Sequence, residues 1–161
     1  MSESPVGPVV AWRLVKAVHA ASAFDGEGSF RFGGRWNSRG VRVVYASSSL
    51  ALAALEFLVH LDTAAPVPPL VVFRMSIEVR DIASAAPAPD SGKASFPRLA
   101  ESRATGDRWA RAGASVVLRV PSAVVPLESN FLLSPAHPRF SALRISPPQP
   151  FTYDPRLVRG R

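Results

Sequence analysis

Glu56 is the residue whose surroundings most demand a chemical explanation. It lies in LALAALEFLVHL, residues 50–61, where His60 is the only other polar side chain. An ionised carboxylate among leucines is costly unless it is paired or lines a polar cleft. Two readings follow: a structural carboxylate paired with one of the chain's many arginines, or a catalytic acid whose environment has been arranged for the task. Arg35 sits in GGRWN, residues 33–37. Flanking glycines let backbone approach an anion, and a guanidinium offers two parallel donors to phosphate oxygens; the plain alternative is a solvated loop cation. Tyr45 ends an apolar run just before the Glu56 segment and, taken alone, is a core aromatic with a wet hydroxyl.

Other chemistries find little support. Ser122 and Asn130 have no histidine near them in sequence, and the GxSxG elbow of a serine hydrolase is absent. His19, His60 and His137 are far apart, there is no cysteine and no HExxH, so no metal site is expected. Neither a strand-turn-helix GxGxxG nor a GxxxxGK[ST] loop is present.

The elements that must carry these residues follow from periodicity. Val9 to Val18 reads as a strand on which Arg13 points away from Trp12. Phe24 to Gly40 holds five glycines in seventeen positions and predicts a loop. Val41 to Ala46 is β-branched and aromatic, hence a buried strand. Ser47, Ser48 or Ser49 can cap a helix running to about Asp62, apolar nearly all round and therefore expected to be buried between layers. Leu70 to Val79 alternates as a one-sided strand, and 81–97 is a surface loop rich in proline and small residues. Pro97 to Ala112 is polar and helical, interrupted at Gly106 and restarted by Asp107 as a cap. Ala114 to Val120 is a further strand, and the proline-rich tail from Ser129 permits strands that are short or at edges. The order of elements predicts an α+β or mixed α/β fold with sheet at its centre.

At 161 residues and 47% hydrophobic content the chain suits one domain, 1–161, with 1–8 a flexible start. No segment approaches the roughly 20 apolar residues of a membrane span, and no signal-like start is present, so a cytoplasmic protein is expected. The charge of +7 raises nucleic-acid binding. Seventeen of the 19 basic residues are arginines scattered singly, a distribution that fits anionic ligands or an acidic partner equally well.

Taken together, WR at 12–13, FDGEGSFRFGGRWNSRGVRVVYASSSLALAALE at 24–56, GDRWARAGASVVLRVPSAVVPLESNFLLSPAHPRF at 106–140 and FTYDPRL at 151–157 resemble the RES domain. This domain is the toxin half of RES–Xre toxin–antitoxin modules. The arginine, glutamate and serine that name the family look like Arg35, Glu56 and Ser122. Where the family often reads NPAHP, this chain has SPAHP, with Ser134.

The resemblance implies a compact α+β domain of the ADP-ribosyltransferase type, with central mixed or antiparallel sheet flanked by helices. It implies NAD as substrate, no metal, and an Xre-type helix-turn-helix antitoxin as partner. It admits a homodimer within the toxin–antitoxin complex. Arg13 and Arg35 would hold the pyrophosphate, Tyr45 would pack on the nicotinamide or its ribose, and Glu56 would face the ribose. Ser122 and Asn130 would complete the site. Acceptor water would make the enzyme a hydrolase, phosphate a phosphorylase, and a protein target, docked on the loop from Ala83 to Pro97, an ADP-ribosyltransferase. The physical chemistry agrees: a carboxylate suits a ribosyl centre gaining oxocarbenium character, and paired arginines suit two phosphates. The competing readings are a nucleic-acid-binding or nuclease toxin, and a non-catalytic module with a structural Glu56–arginine pair.

Overall fold

The computed structural model describes residues 7–62, 64–85 and 96–159. Within them the chain runs β1 (Val9–Lys16), α1 (Glu27–Phe32), β2 (Val44–Ser47), α2 (Leu50–Leu58), β3 (Leu70–Ile77) and β4 (Ile82–Ser84). It continues with α3 (Leu99–Ala112), β5 (Val117–Pro121), β6 (Ser129–Leu133), β7 (Arg144–Ile145), β8 (Gln149–Phe151) and α4 (Pro155–Val158). The strands form one mixed sheet in the order β4-β5-β6-β2-β1-β3-β7, with β8 also on β3. Only β4 and β5 pair in parallel. The expected α+β architecture with mixed sheet is the one observed.

The sheet is two halves joined at a thin seam. β1 and β3 pair over eight residues, and β2 and β6 over four, whereas β1 and β2 share the single pair Trp12 and Ser47. One face closes on itself: Ala11, Met75 and Ile77 from one half meet Val44, Ala46, Val117, Phe131 and Leu133 from the other in the main core. The opposite face carries α2 on the β1–β3 half, through Ala53 and Leu58 against Leu14, Leu70 and Val72. On the other half α3 packs through Trp109 against Trp36, Leu118, Val120 and Leu132. Two helices on one face of a split sheet leave a trough between them, above the seam.

Several local expectations are corrected. The glycine-dense 24–40 segment contains the short helix α1, stabilised by Arg31 and Arg42 on Glu27. β2 begins at Val44, not Val41. α2 is capped by Ser49, whose Oγ accepts from the Leu52 amide at 3.0 Å, and ends at Leu58. It is not buried all round: Leu55 is exposed, and so is Val59 at its end, which lines the trough. α3 runs unbroken through Gly106. A Cβ there would lie 1.6 Å from the Trp36 carbonyl oxygen, so glycine is required for the helix to touch the 33–37 loop. Asp107 restarts nothing; it accepts from the Ser38 amide at 2.8 Å. β6 is short, as the tail's prolines predict, but lies inside the sheet, since Pro135 falls just beyond it. The docking loop expected at 83–97 lies mostly outside the described residues, as does most of the 1–8 start.

At the far end, Arg139 donates Nε and a terminal nitrogen to the two oxygens of buried Asp81, at 2.6 and 3.0 Å. This holds the Asp81 carboxyl below its ordinary range. A carboxyl whose folded pKa is depressed stabilises the fold above its unfolded pKa of about 3.9 and loses that contribution as pH falls through the lower folded value. Arg139→Met is therefore expected to lower the urea midpoint at pH 7, with the gap to the parent narrowing at pH 3. An equal gap at both pH values would show that the ion pair is not its source.

Candidate functional site

Above the seam lies a cleft of about 950 Å³, a size typical of ligand sites. Trp12 and Leu14 of β1, Tyr45 and Ser47 of β2 and Asn130 of β6 form its floor. Ala53, Glu56 and Phe57 of α2 and His60 just beyond it stand on one side, with Gly34, Arg35 and Arg103 on the other. Glu56, Arg13, Arg35, Tyr45 and Asn130, expected from sequence to act together, all line it. Ser122 lies behind the lining and touches Glu56. Ser134 is buried and takes no part in the lining.

Glu56 is held by neutral donors. Its Oε1 accepts from Ser122 Oγ at 2.6 Å and Asn130 Nδ2 at 2.6 Å. Asn130 is fixed in turn by Ser47, whose Oγ donates to Asn130 Oδ1 at 2.9 Å. Ser122 is wholly committed: besides donating to Glu56 it accepts from the Val124 and Val125 amides, at 3.1 and 3.0 Å. No arginine pairs with Glu56 among the described residues, which counts against the structural ion-pair reading. Oε2 has no partner among those residues. One carboxylate oxygen is locked and the other is left for the cleft.

Arg13 occupies the seam. Its Nε donates to the Ala23 carbonyl at 2.6 Å and NH1 to the Tyr45 carbonyl at 2.8 Å, supplying a donor where the β1–β2 ladder has parted. Burial lowers its pKa to about 10, partly offset by Asp25, so it stays charged at neutral pH.

Tyr45 presents its ring to the cleft and spends its hydroxyl on the glycine loop. It donates to Asn37 Oδ1 at 2.6 Å and accepts from the Trp36 amide at 3.1 Å. Burial pushes the phenol up to about 12, which keeps it neutral. Fully buried Asn37 donates to the carbonyls of Ser29, Ser38 and Val41 at 2.9, 3.1 and 2.9 Å. Gly33, at φ +71, starts this loop in a conformation that favours glycine. Arg35 projects from the locked loop, stacked 5.3 Å from the Phe96 ring, exposed and without an ion pair among the described residues.

Sequence reasoning missed Asn37, Ser47 and Arg103. Asn37 and Ser47 act by holding a loop and a neighbouring side chain, which residue type alone does not announce. Arg103 carried a usable signal: it stands four residues before Asp107, on the face that Gly106 brings against the loop, and its Nε donates to the Gly34 carbonyl at 2.9 Å.

The RES domain family model matches residues 10–154. The chain belongs to the RES domain family. Among curated relatives of this RES chain, the Prs ADP-ribosylating toxin of a Sphingobium strain is 38% identical over 156 residues, covering 92% of this chain and 96% of that protein. Toxin Res of Yersinia enterocolitica is 36% identical, covering 91% and 97%. Toxin Res of Pseudomonas putida is 35% identical, covering 92% and 99%. A chain of the M. tuberculosis MbcT–MbcA toxin–antitoxin complex shares the fold, with a TM-score of 0.71 over 94% of this chain and 87% of that one at 17% identity.

Proposed function

We propose that this RES domain is an enzymatic toxin that cleaves the nicotinamide–ribose bond of NAD in the cleft between α2 and α3. The observation that carries the reading is Glu56, oriented through Oε1 by Ser122 and Asn130 with Oε2 unpartnered among the described residues, in a cleft whose other charged lining residues among them are arginines.

As the glycosidic bond lengthens, positive charge develops on the ribose. A carboxylate oxygen accepting from the 2′-hydroxyl stabilises that charge, and a preoriented group does so without reorganising. Nicotinamide departs as a neutral base, so no second carboxylate is needed as acid. The faces of Tyr45 and Trp12 suit the flat cationic ring before it leaves. Arg35, and the part of Arg13 not committed to backbone, suit the diphosphate. Ser122 and Asn130 are positioning residues for Glu56 and do not attack the substrate. Ser122→Ala and Asn130→Ala are each expected to lower kcat about 10-fold, roughly one charged hydrogen bond's worth of orientation, with KM for NAD nearly unchanged. A rise in KM at constant kcat would assign them to substrate binding instead.

The name of the Sphingobium relative supports NAD as donor of an ADP-ribosyl group, and the toxin–antitoxin complex that shares the fold supports a protein partner that silences this chain. We assign that partner to the Xre helix-turn-helix class, and the pair to the cytoplasm. No helix of the described residues is long and apolar enough to cross a membrane. The nucleic-acid reading draws on the net charge, and the cleft arginines give part of that charge a different use.

The decisive experiment is product analysis after incubating the purified protein with NAD, with and without phosphate and with cell extract. Free ADP-ribose identifies water as acceptor, a phosphorylated ribose product identifies phosphate, and labelled protein identifies a protein side chain. NAD left intact under all three conditions would overturn the proposal.

A further inference from the structure

Among the described residues three arginines line the cleft, and one of them, Arg103, has neither a carboxylate partner nor a use for most of its donors there. It is half-buried on α3, and its Nε is committed to the Gly34 carbonyl. NH1 and NH2 find no acceptor among the described residues. Asp107, one turn on, is spent on the Ser38 amide. The lining's single carboxylate, Glu56, is held by Ser122 and Asn130. A partly buried guanidinium left unneutralised is costly, and the two terminal nitrogens of its fork are spaced to grip a pair of phosphate oxygens.

Placement adds to this. Gly34 immediately precedes Arg35, so the Arg103 guanidinium is anchored one residue from the backbone that carries Arg35. Both line the cleft, as does Leu99, one turn before Arg103 on α3. Arg13, by contrast, has already given two nitrogens to the carbonyls of Ala23 and of Tyr45 across the seam.

We propose that Arg103 is a diphosphate ligand, gripping the substrate's phosphates together with Arg35 through NH1 and NH2 while its Nε holds the Arg35 loop in place. This rests on the reading of the cleft as an NAD site and adds α3 to its binding surface. Arg35, stacked on Phe96, is then one half of a clamp whose other half comes from the opposite side of the Gly34 carbonyl.

The test is calorimetric titration of ADP-ribose, which carries the diphosphate and is not a substrate for nicotinamide release, into the parent, Arg103→Met and Arg103→Lys. Melting curves confirm that each variant folds. Loss of a charge-assisted hydrogen-bond pair is expected to weaken ADP-ribose binding by about 30-fold in Arg103→Met. Arg103→Lys, which keeps the charge without the fork, is expected to recover part of the loss. With NAD, Arg103→Met should raise KM by a similar factor and change kcat less than about threefold, the pattern of a contact made equally in ground and transition states. Unchanged ADP-ribose affinity in a folded Arg103→Met overturns the proposal. So does a weakening that Arg103→Lys does not relieve, which marks a purely loop-shaping role. A parent that releases nicotinamide while Arg103→Met binds ADP-ribose normally removes this inference alone. A parent that neither releases nicotinamide nor binds ADP-ribose removes the NAD reading and this inference with it.

Discussion

Glu56→Gln is expected to lower nicotinamide release from NAD by about 10³-fold while leaving the melting temperature almost where it was. The separation follows from how the side chain is held. Oε1 accepts two hydrogen bonds, from Ser122 and Asn130, and a glutamine side-chain oxygen accepts the same two with the same geometry. The α2 packing through Leu52, Ala53 and Leu58 is untouched. What disappears is the negative charge at the free oxygen, where the ribosyl cation develops, and 10³-fold corresponds to about 4 kcal/mol of transition-state stabilisation. ADP-ribose affinity should change only a few-fold, because the arginines that suit the phosphates stay in place. Nicotinamide release by Glu56→Gln at the parent's rate would show that another group stabilises the sugar. A large drop in melting temperature would instead show that the carboxylate holds the fold together.

The parts of this site that were legible in sequence are those fixed by local pattern. The i, i+3, i+4 stripe from Leu50 to Leu61 locates α2, and the anomaly of a carboxylate within it locates Glu56. The seam was not legible. Arg13 meets Tyr45 across 32 residues of chain, and nothing in either segment says that their strands share one residue pair. The interior position of β6 was hidden for a related reason. Phe131 and Leu133 face the main core while Leu132 faces α3, so a strand buried on both sides shows no alternation.

Gly28 and Gly106 show why propensity misled. Each disfavours helix by about 1 kcal/mol relative to alanine, and each lies in one. α1 forms because Glu27 is gripped by two arginines, and because Ser29 exchanges hydrogen bonds with the Val43 backbone. α3 passes through Gly106 because only there can it touch the Trp36 backbone. Tertiary contacts outweighed local preference at both positions, and those contacts build the loop that carries Arg35.

That loop is also where a single methyl group should do most damage. A Cβ at Gly34 would stand 2.6 Å from the Tyr45 hydroxyl, 2.8 Å from Asn37 Oδ1 and 3.0 Å from Tyr45 Cζ. These are the atoms that lock the loop, since the Tyr45 hydroxyl donates to Asn37 and accepts from Trp36. Gly34→Ala is therefore expected to cost about 1–3 kcal/mol in urea unfolding. It is also expected to lower kcat/KM for NAD by about 100-fold, because misplacing a binding group by about 1 Å has effects of that size. The Gly34 carbonyl that anchors Arg103 moves with the loop, so both arginines lose their aim. Gly28→Ala serves as the control, since nothing lies within 4 Å of its Cβ and it sits in helix; it should be neutral or slightly stabilising. Tyr45→Phe removes the oxygen that the new methyl would strike first. In the Gly34→Ala/Tyr45→Phe double variant the stability loss should fall short of the sum of the two single losses, the mark of a shared contact. Strict additivity would mean that the loop absorbs the methyl elsewhere and that the tyrosine hydroxyl is not what fixes the position of Arg35.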